Sequence, residues 1–136
     1  MIFRADRVLL LQRACDQRIA PNAWQCPAGK QEPGEPIEET LIREVREETG
    51  LAVRTSVPLG TTSTVIETDG EPTTWLQFDF LADTDDTEVL LSDEHRDFRW
   101  VPLAELELFA ELSPHVRTAI RRGVAAREAQ IRRPPR

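Results

Sequence analysis

Residues 36–50 constrain the fold more than any other stretch of the chain. Pro36 suits the first turn of a helix, where the amide hydrogen it lacks would have no intrahelical partner. Gly50 suits the left-handed residue that stops one. Between them Ile37, Leu41 and Val45 recur every four residues, so a helix running to about Thr49 carries one apolar stripe. A stripe of that kind must be covered, and the flanking sequence supplies strands to cover it.

Val8–Gln12 is a short apolar run with strand character. Ala14–Ala23 is polar, contains Pro21 and Asn22, and reads as a loop. Trp24–Pro27 is a brief extended piece, and Gly29–Gly34 is a loop with Pro33 inside it. After the helix, Leu51–Val57 reads as a strand. Thr61–Glu67 and Thr73–Leu81 flank Asp69-Gly70, a strong hairpin signal. In the second of these strands Trp75, Gln77 and Asp79 point one way, and Leu76, Phe78 and Phe80 the other. Phe98–Val101 is a further strand, followed by a helical turn at Leu103–Phe109. Ser113 and Pro114 suit the cap and first residue of a last helix with Val116, Ile120 and Val124 on one face. Residues 131–136, with Pro134-Pro135, read as a frayed tail. Only one strand–helix–strand crossover is clear and the middle is hairpin-rich. The expectation is one α/β domain over residues 1–136, a mixed sheet flanked by helices.

The 136 residues are 40% apolar and 30% charged, with a net charge of −7, which suits a soluble globular domain. No apolar run approaches the ~20 residues that span a bilayer. Arg4, Asp6 and Arg7 interrupt any signal pattern, so the cytoplasm is the expected compartment. Cys15 and Cys26 form no metal or redox motif and are expected as reduced, buried thiols. Residues 1–113 carry 10 basic and 23 acidic side chains, whereas residues 114–136 carry seven arginines and one glutamate. An acidic body does not suit a phosphate-backbone binder, and the arginine-rich end reads as a solvated helix surface in preference to a nucleic-acid or membrane contact. The expected partner is therefore a small molecule, with no nucleic acid and no membrane.

Glu44, Glu47 and Glu48 lie at i, i+3 and i+4 and project from one helix face. Like charges so close repel by roughly a few tenths of a kcal/mol per pair. Hard divalent cations want several oxygen ligands, which such carboxylates supply, and ions held there can polarise a bound phosphate and activate water. A plain solvated acidic face, relieved by Arg43 and Arg46, explains the same three residues taken alone.

Their surroundings favour the metal reading. Gly29, five residues, Glu35, seven residues, then Arg43-Glu44-Val45-Arg46-Glu47-Glu48-Thr49-Gly50-Leu51 resembles the Nudix box at every fixed position. Leu9–Arg13, Trp24 with Pro27-Ala28-Gly29, and Phe98–Leu103 extend the resemblance over most of residues 2–125, with Ala28 where the family usually has a first glycine. The resemblance implies a Nudix-like α/β/α sandwich with a mixed β-sheet. It implies Mg²⁺, or Mn²⁺, held by Glu44, Glu47, Glu48 and the Ala28 carbonyl, and hydrolysis of a nucleoside diphosphate linked to another group. It also implies that Arg43 orients a glutamate of the site and that Glu35 is mainly structural. Glu94 is the candidate for the further acid that completes such sites, as ligand or general base, although Asp93 and Glu94 also read as the start of a polar loop. His95 titrates near neutrality and is a second candidate base, while oxygen is the expected ligand for a hard cation. Arg13, Arg18, Trp24 and Gly29 are candidate substrate contacts, the arginines because guanidinium pairs bidentately with phosphate. Trp24 and Trp75 read either as base-stacking or as core residues.

Measured against that family, the first strand looks truncated, with only its end at Ile2-Phe3, so either the start is assigned too far downstream or the sheet edge is completed otherwise, by another subunit if the chain is a homodimer rather than a monomer. Ile66 stands where ADP-ribose-cleaving members carry a proline, and the chain has no tyrosine to match the dinucleotide hydrolases. A compact (d)NTP or modified nucleotide such as 8-oxo-dGTP is then the expected substrate. A nucleotide sugar, a dinucleotide, or a nucleotide bound without catalysis are the alternatives.

Overall fold

The computed structural model describes residues 1–109 and 111–132. Six strands and two long helices follow in the order β1 (Ile2–Arg4), β2 (Arg7–Arg13), β3 (Trp24–Gln25), α1 (Ile37–Thr49), β4 (Thr55–Thr68), β5 (Glu71–Asp83), β6 (His95–Pro102) and α2 (Pro114–Ile131), with a 3₁₀ turn at Leu103–Leu108 before α2.

The sheet is mixed. β6 pairs antiparallel along the whole of β2, from Arg7↔Pro102 to Arg13↔His95. The other edge of β2 is shared by β1, at Phe3↔Val8, and β3, at Gln12↔Trp24. β1 then pairs parallel with β5, and β5 antiparallel with β4. The short first strand is thus an interior strand between β2 and β5, and no exposed edge arises there.

Alternation along β2 sorts the core. Val8 and Leu10 join Phe3, Leu81, Trp24 and Ile120 beneath α2, and Val116 and Val124 pack onto that cluster. Leu9 and Leu11 join Ile2, Ala82, Val45 and Leu51 beneath α1. The four consecutive residues Val8–Leu11 are completely buried because both faces of the sheet are covered. Each such side chain contributes about 1.5–3 kcal/mol on burial. The architecture is the expected α/β/α sandwich.

Several local expectations change. Pro36 is extended (φ −60°, ψ 143°) and caps α1 from outside, its carbonyl accepting from the amides of Glu39 and Thr40. Leu51–Arg54 forms no strand, and the two strands expected before the hairpin are one, Thr55–Thr68. The register shifts between Pro58 and Gly60, where Gly60 has φ +124°. A proline and a bulge are tolerated because, among the described residues, β4 pairs only with β5 and is an edge. Asp69 (φ 55°) and Gly70 (φ 81°) make the primed turn expected of them. Of Leu76, Phe78 and Phe80, which share a face, Phe80 is buried and the other two are exposed. Ile131 ends α2 instead of opening a tail, and residues 133–136 lie outside the described residues. Cys15 is exposed, not buried, and Cys26 is half-buried.

Most of the arginines of α2 are spent inside the chain. Arg127 pairs with Asp83 at 2.7 Å and lies over the Phe3 ring, Arg122 pairs with Asp79 at 3.3 Å, and Arg121 pairs with Glu107 at 2.8 Å. Arg117 donates to the carbonyls of Glu107 and Phe109. These contacts fasten α2 to the sheet and to the 3₁₀ turn. Among the described residues no helix is long and apolar enough to cross a membrane.

Candidate metal and catalytic site

Helix α1 presents its glutamates unequally. Glu48 follows Val45 around the helix and is carried under the loop after β3, where it is 3% exposed. The Ala28 amide donates to its Oε2 at 3.1 Å. Glu44 lies one turn earlier and accepts from the Lys30 amide at 3.2 Å. A Cβ on Gly29 would overlap the Glu44 carboxylate, so the loop backbone closes on this side chain only because residue 29 is glycine. Glu47 projects outward, with its side chain 60% exposed.

Arg43 organises this face. Its Nε and one terminal nitrogen make a two-point contact with Glu35, at 2.7 and 3.0 Å. The other terminal nitrogen reaches Glu44 at 2.9 Å and Glu47 at 3.2 Å, and the fork also donates to the Lys30 carbonyl at 2.9 Å. Glu35 is fully committed to structure. Besides Arg43 it accepts from the Thr40 hydroxyl at 2.7 Å and the Glu32 amide at 3.1 Å. Those bonds, Arg43 first, hold its carboxyl down at about 2.

Glu48 is perturbed the other way. Burial pushes its carboxyl up to about 8; Glu44 and Glu94 push in the same direction, against the Ala28 amide and Arg13. An acid so desolvated and surrounded by like charge is a functional-site signal. It is also what a bound cation would reverse.

Glu94 and His95 arrive from the start of β6. The segment before them is laced onto the end of α1, with the Leu90 amide donating to the Thr49 carbonyl at 2.8 Å and the Ser92 amide to the Glu48 carbonyl at 3.3 Å. The Ala14 amide donates to the Glu94 carbonyl at 2.8 Å, and β2 and β6 shift register beside it, between Gln12 and Arg13. One carboxylate oxygen each of Glu48 and Glu94 and one ring nitrogen of His95 consequently lie within 4.8 Å of one another. Burial and Arg13 push the imidazole below its ordinary pKa range, against Glu94.

Of the residues anticipated as metal ligands, Glu48 and Glu94 therefore converge directly. Glu44 is one turn away and is braced by Arg43, and Glu47 stands at the exposed rim. Ala28 touches the site through its N–H, to Glu48. The candidate substrate contacts are dispersed. Arg13 directs its guanidinium to the Ile19 carbonyl at 2.8 Å and the Gln17 side chain at 3.1 Å, bracing its own loop. Arg18 pairs with Asp69 at the hairpin turn. Trp24 is 4% exposed, packs edge-on against Phe109 at 5.4 Å and lies under Arg99 at 4.9 Å, as a core residue does. Trp75 is half-buried with Lys30 Nζ over its ring at 4.7 Å. Lys30 carries no motif signal in the sequence, and tertiary folding alone brings it to the hairpin.

The donor set fits a hard divalent cation: clustered carboxylates, one of them buried and held by a backbone amide, with the Glu44 carboxylate seated where a side chain at residue 29 would stand.

A human 8-oxo-dGDP phosphatase, NUDT18, is 40% identical over 77 residues, 57% of this chain, and the match spans 21% of that protein's length. A nucleoside triphosphatase of Escherichia coli, NudI, is 36% identical over 107 residues, covering 72% of this chain and 74% of its own. The crystal structure of a NUDIX hydrolase from Nitrosomonas europaea superposes with a TM-score of 0.74 at 29% identity, over 92% of this chain and 84% of that one. The NUDIX domain family model matches residues 1–123, most of the chain, and this protein belongs to the Nudix family.

Proposed function

We propose that the protein is a divalent-metal-dependent hydrolase that cleaves a diphosphate linkage in a compact nucleotide, a nucleoside triphosphate or an oxidised form of one. The observation that carries this reading is the buried Glu48 carboxylate with Glu44 and Glu94 around it. A cation drawn to that point would be held by Glu48, Glu94 and Glu44, with Glu47 at the rim and the Ala28 carbonyl near. When bound, Mg²⁺ supplies charge neutralisation for the phosphate and acidifies a water.

The chain's own residues account for the rest. Arg43 fixes Glu44 and Glu47 with one nitrogen of a guanidinium whose other two nitrogens are held by Glu35, so the glutamates need little reorganisation when a substrate arrives. The Ala28 and Lys30 amides set the depth of Glu48 and Glu44. Glu94, the exposed acid beside buried Glu48, would serve as a ligand or, in place of that, as the base that takes a proton from the attacking water. The nucleotide preference rests on NudI and NUDT18, whose names report a nucleoside triphosphatase and an 8-oxo-dGDP phosphatase.

The test is a hydrolysis screen over nucleoside triphosphates, oxidised nucleotides, nucleotide sugars and dinucleotides with Mg²⁺, with products identified by chromatography. Release of a nucleoside monophosphate and inorganic diphosphate from a triphosphate and one water is the expected result, lost on Glu48→Gln. Tight nucleotide binding without turnover across the panel would favour a binding domain instead.

A further inference from the structure

His95 is 5% exposed, yet both of its ring nitrogens are buried without a hydrogen-bond partner among the described residues. The Ser92 hydroxyl, three residues earlier on the segment bonded to the Glu48 carbonyl, is also buried without a partner. A neutral imidazole carries one donor and one acceptor, and each left unpaired costs roughly 1–3 kcal/mol. An apolar side chain of that size would avoid the cost. What the ring gains by being there is its position: one nitrogen lies within 4.8 Å of carboxylate oxygens of both Glu48 and Glu94. Two ligands about 2.0–2.2 Å from a common ion span at most ~4.4 Å, so side-chain shifts of a few tenths of an ångström close the set.

We propose that a ring nitrogen of His95 is a ligand of the metal site beside Glu48 and Glu94, and that this mixed nitrogen–oxygen set binds Mn²⁺ and later first-row divalent ions in preference to Mg²⁺. The proposal rests on the metal-site reading above and adds an identity to it. Mg²⁺ is held by oxygen donors and gains little from imidazole, whereas affinity for nitrogen rises along the first row from Mn²⁺ onward. His95 is buried at the first residue of β6, where the strand leaves its pairing with Arg13, so the ring has little freedom to turn elsewhere. An all-carboxylate cluster would discriminate less and would give no directly bound nitrogen.

The experiment is pulsed EPR on the wild-type protein loaded with Mn²⁺ alone, read for ¹⁴N modulation from a directly bound imidazole. Modulation is expected in the wild type and absent from His95→Gln. In the same variant Mn²⁺ affinity is expected to fall about tenfold while Mg²⁺ affinity changes less than about twofold. No ¹⁴N modulation in the wild type overturns the proposal, whether or not the variant folds, and so does modulation that survives in a folded His95→Gln. The functional reading fails separately. Modulation with no turnover in the substrate screen removes the hydrolase and leaves the nitrogen ligand standing, while metal-dependent turnover without modulation removes only His95.

Discussion

Arg43 grips Glu35 by two nitrogens, at 2.7 and 3.0 Å, and with the remaining one holds Glu44 at 2.9 Å. One guanidinium thereby ties the loop ahead of α1 to the acid in the middle of it. A lysine ammonium is a point charge and cannot serve these directions together. Arg43→Lys is expected to lower kcat about 10–100-fold by releasing Glu44, with far-UV circular dichroism unchanged. Activity within threefold of wild type would show that the fork positions nothing important.

The same pair sets a pH dependence. The Glu35 carboxyl is held at about 2 in the folded chain against an ordinary 4.5. A depressed carboxyl contributes stability in full above its unfolded value, and loses it as pH falls through the folded one. The thermal midpoint of the wild type should therefore decline between pH 4.5 and 2. Glu35→Gln should start lower at neutral pH and decline less over that window. Parallel curves for the two proteins would contradict the assignment.

Metal binding should register as stability. A cation that binds only the folded chain stabilises it by about 2.7 kcal/mol at one hundred times its Kd. Addition of Mg²⁺ or Mn²⁺ to chelator-treated protein is expected to raise Tm by several degrees. Glu48→Gln neutralises the buried ligand, so its Tm should respond much less. An equal response in both would place the ion elsewhere.

The helix and its acids were legible in sequence because they are local. Proline, an every-fourth-residue stripe and a glycine stop bound α1, and spacing alone aligned Glu44, Glu47 and Glu48. Whatever depends on distant pairing was not. β1 becomes an interior strand only through its parallel contact with β5, some eighty residues on. Pro58 and Gly60 looked like a break, because nothing local says that β4 is an edge able to absorb a bulge. In the site, the helix did not reveal that Glu48 alone would be buried, since its cover is the loop at Ala28. His95 beside Glu94 was visible as a titratable residue. Its lack of partners is a property of the packed interior and has no sequence signature.

Gly29 and Gly50 hold equal rank in the motif, and the structure gives them different work. Gly50 ends α1 at φ 72°, and a Cβ there would also stand 3.2 Å from the Leu90 Cβ. A left-handed alanine costs roughly 1–2 kcal/mol. Gly50→Ala should therefore lower Tm by about 2–8 °C while leaving most of the turnover, because no site carboxylate touches it. Gly29 has no positive φ, and its backbone would accept alanine without strain. The methyl group would instead meet the Glu44 carboxylate and displace it from the Lys30 amide and Arg43. The end of a flexible side chain moves cheaply, so stability should change little while activity falls by at least about tenfold. Calorimetry and steady-state kinetics on the two variants separate these effects. If Gly29→Ala unfolds the chain and Gly50→Ala silences it, the division of roles is the reverse of the one derived from the backbone angles.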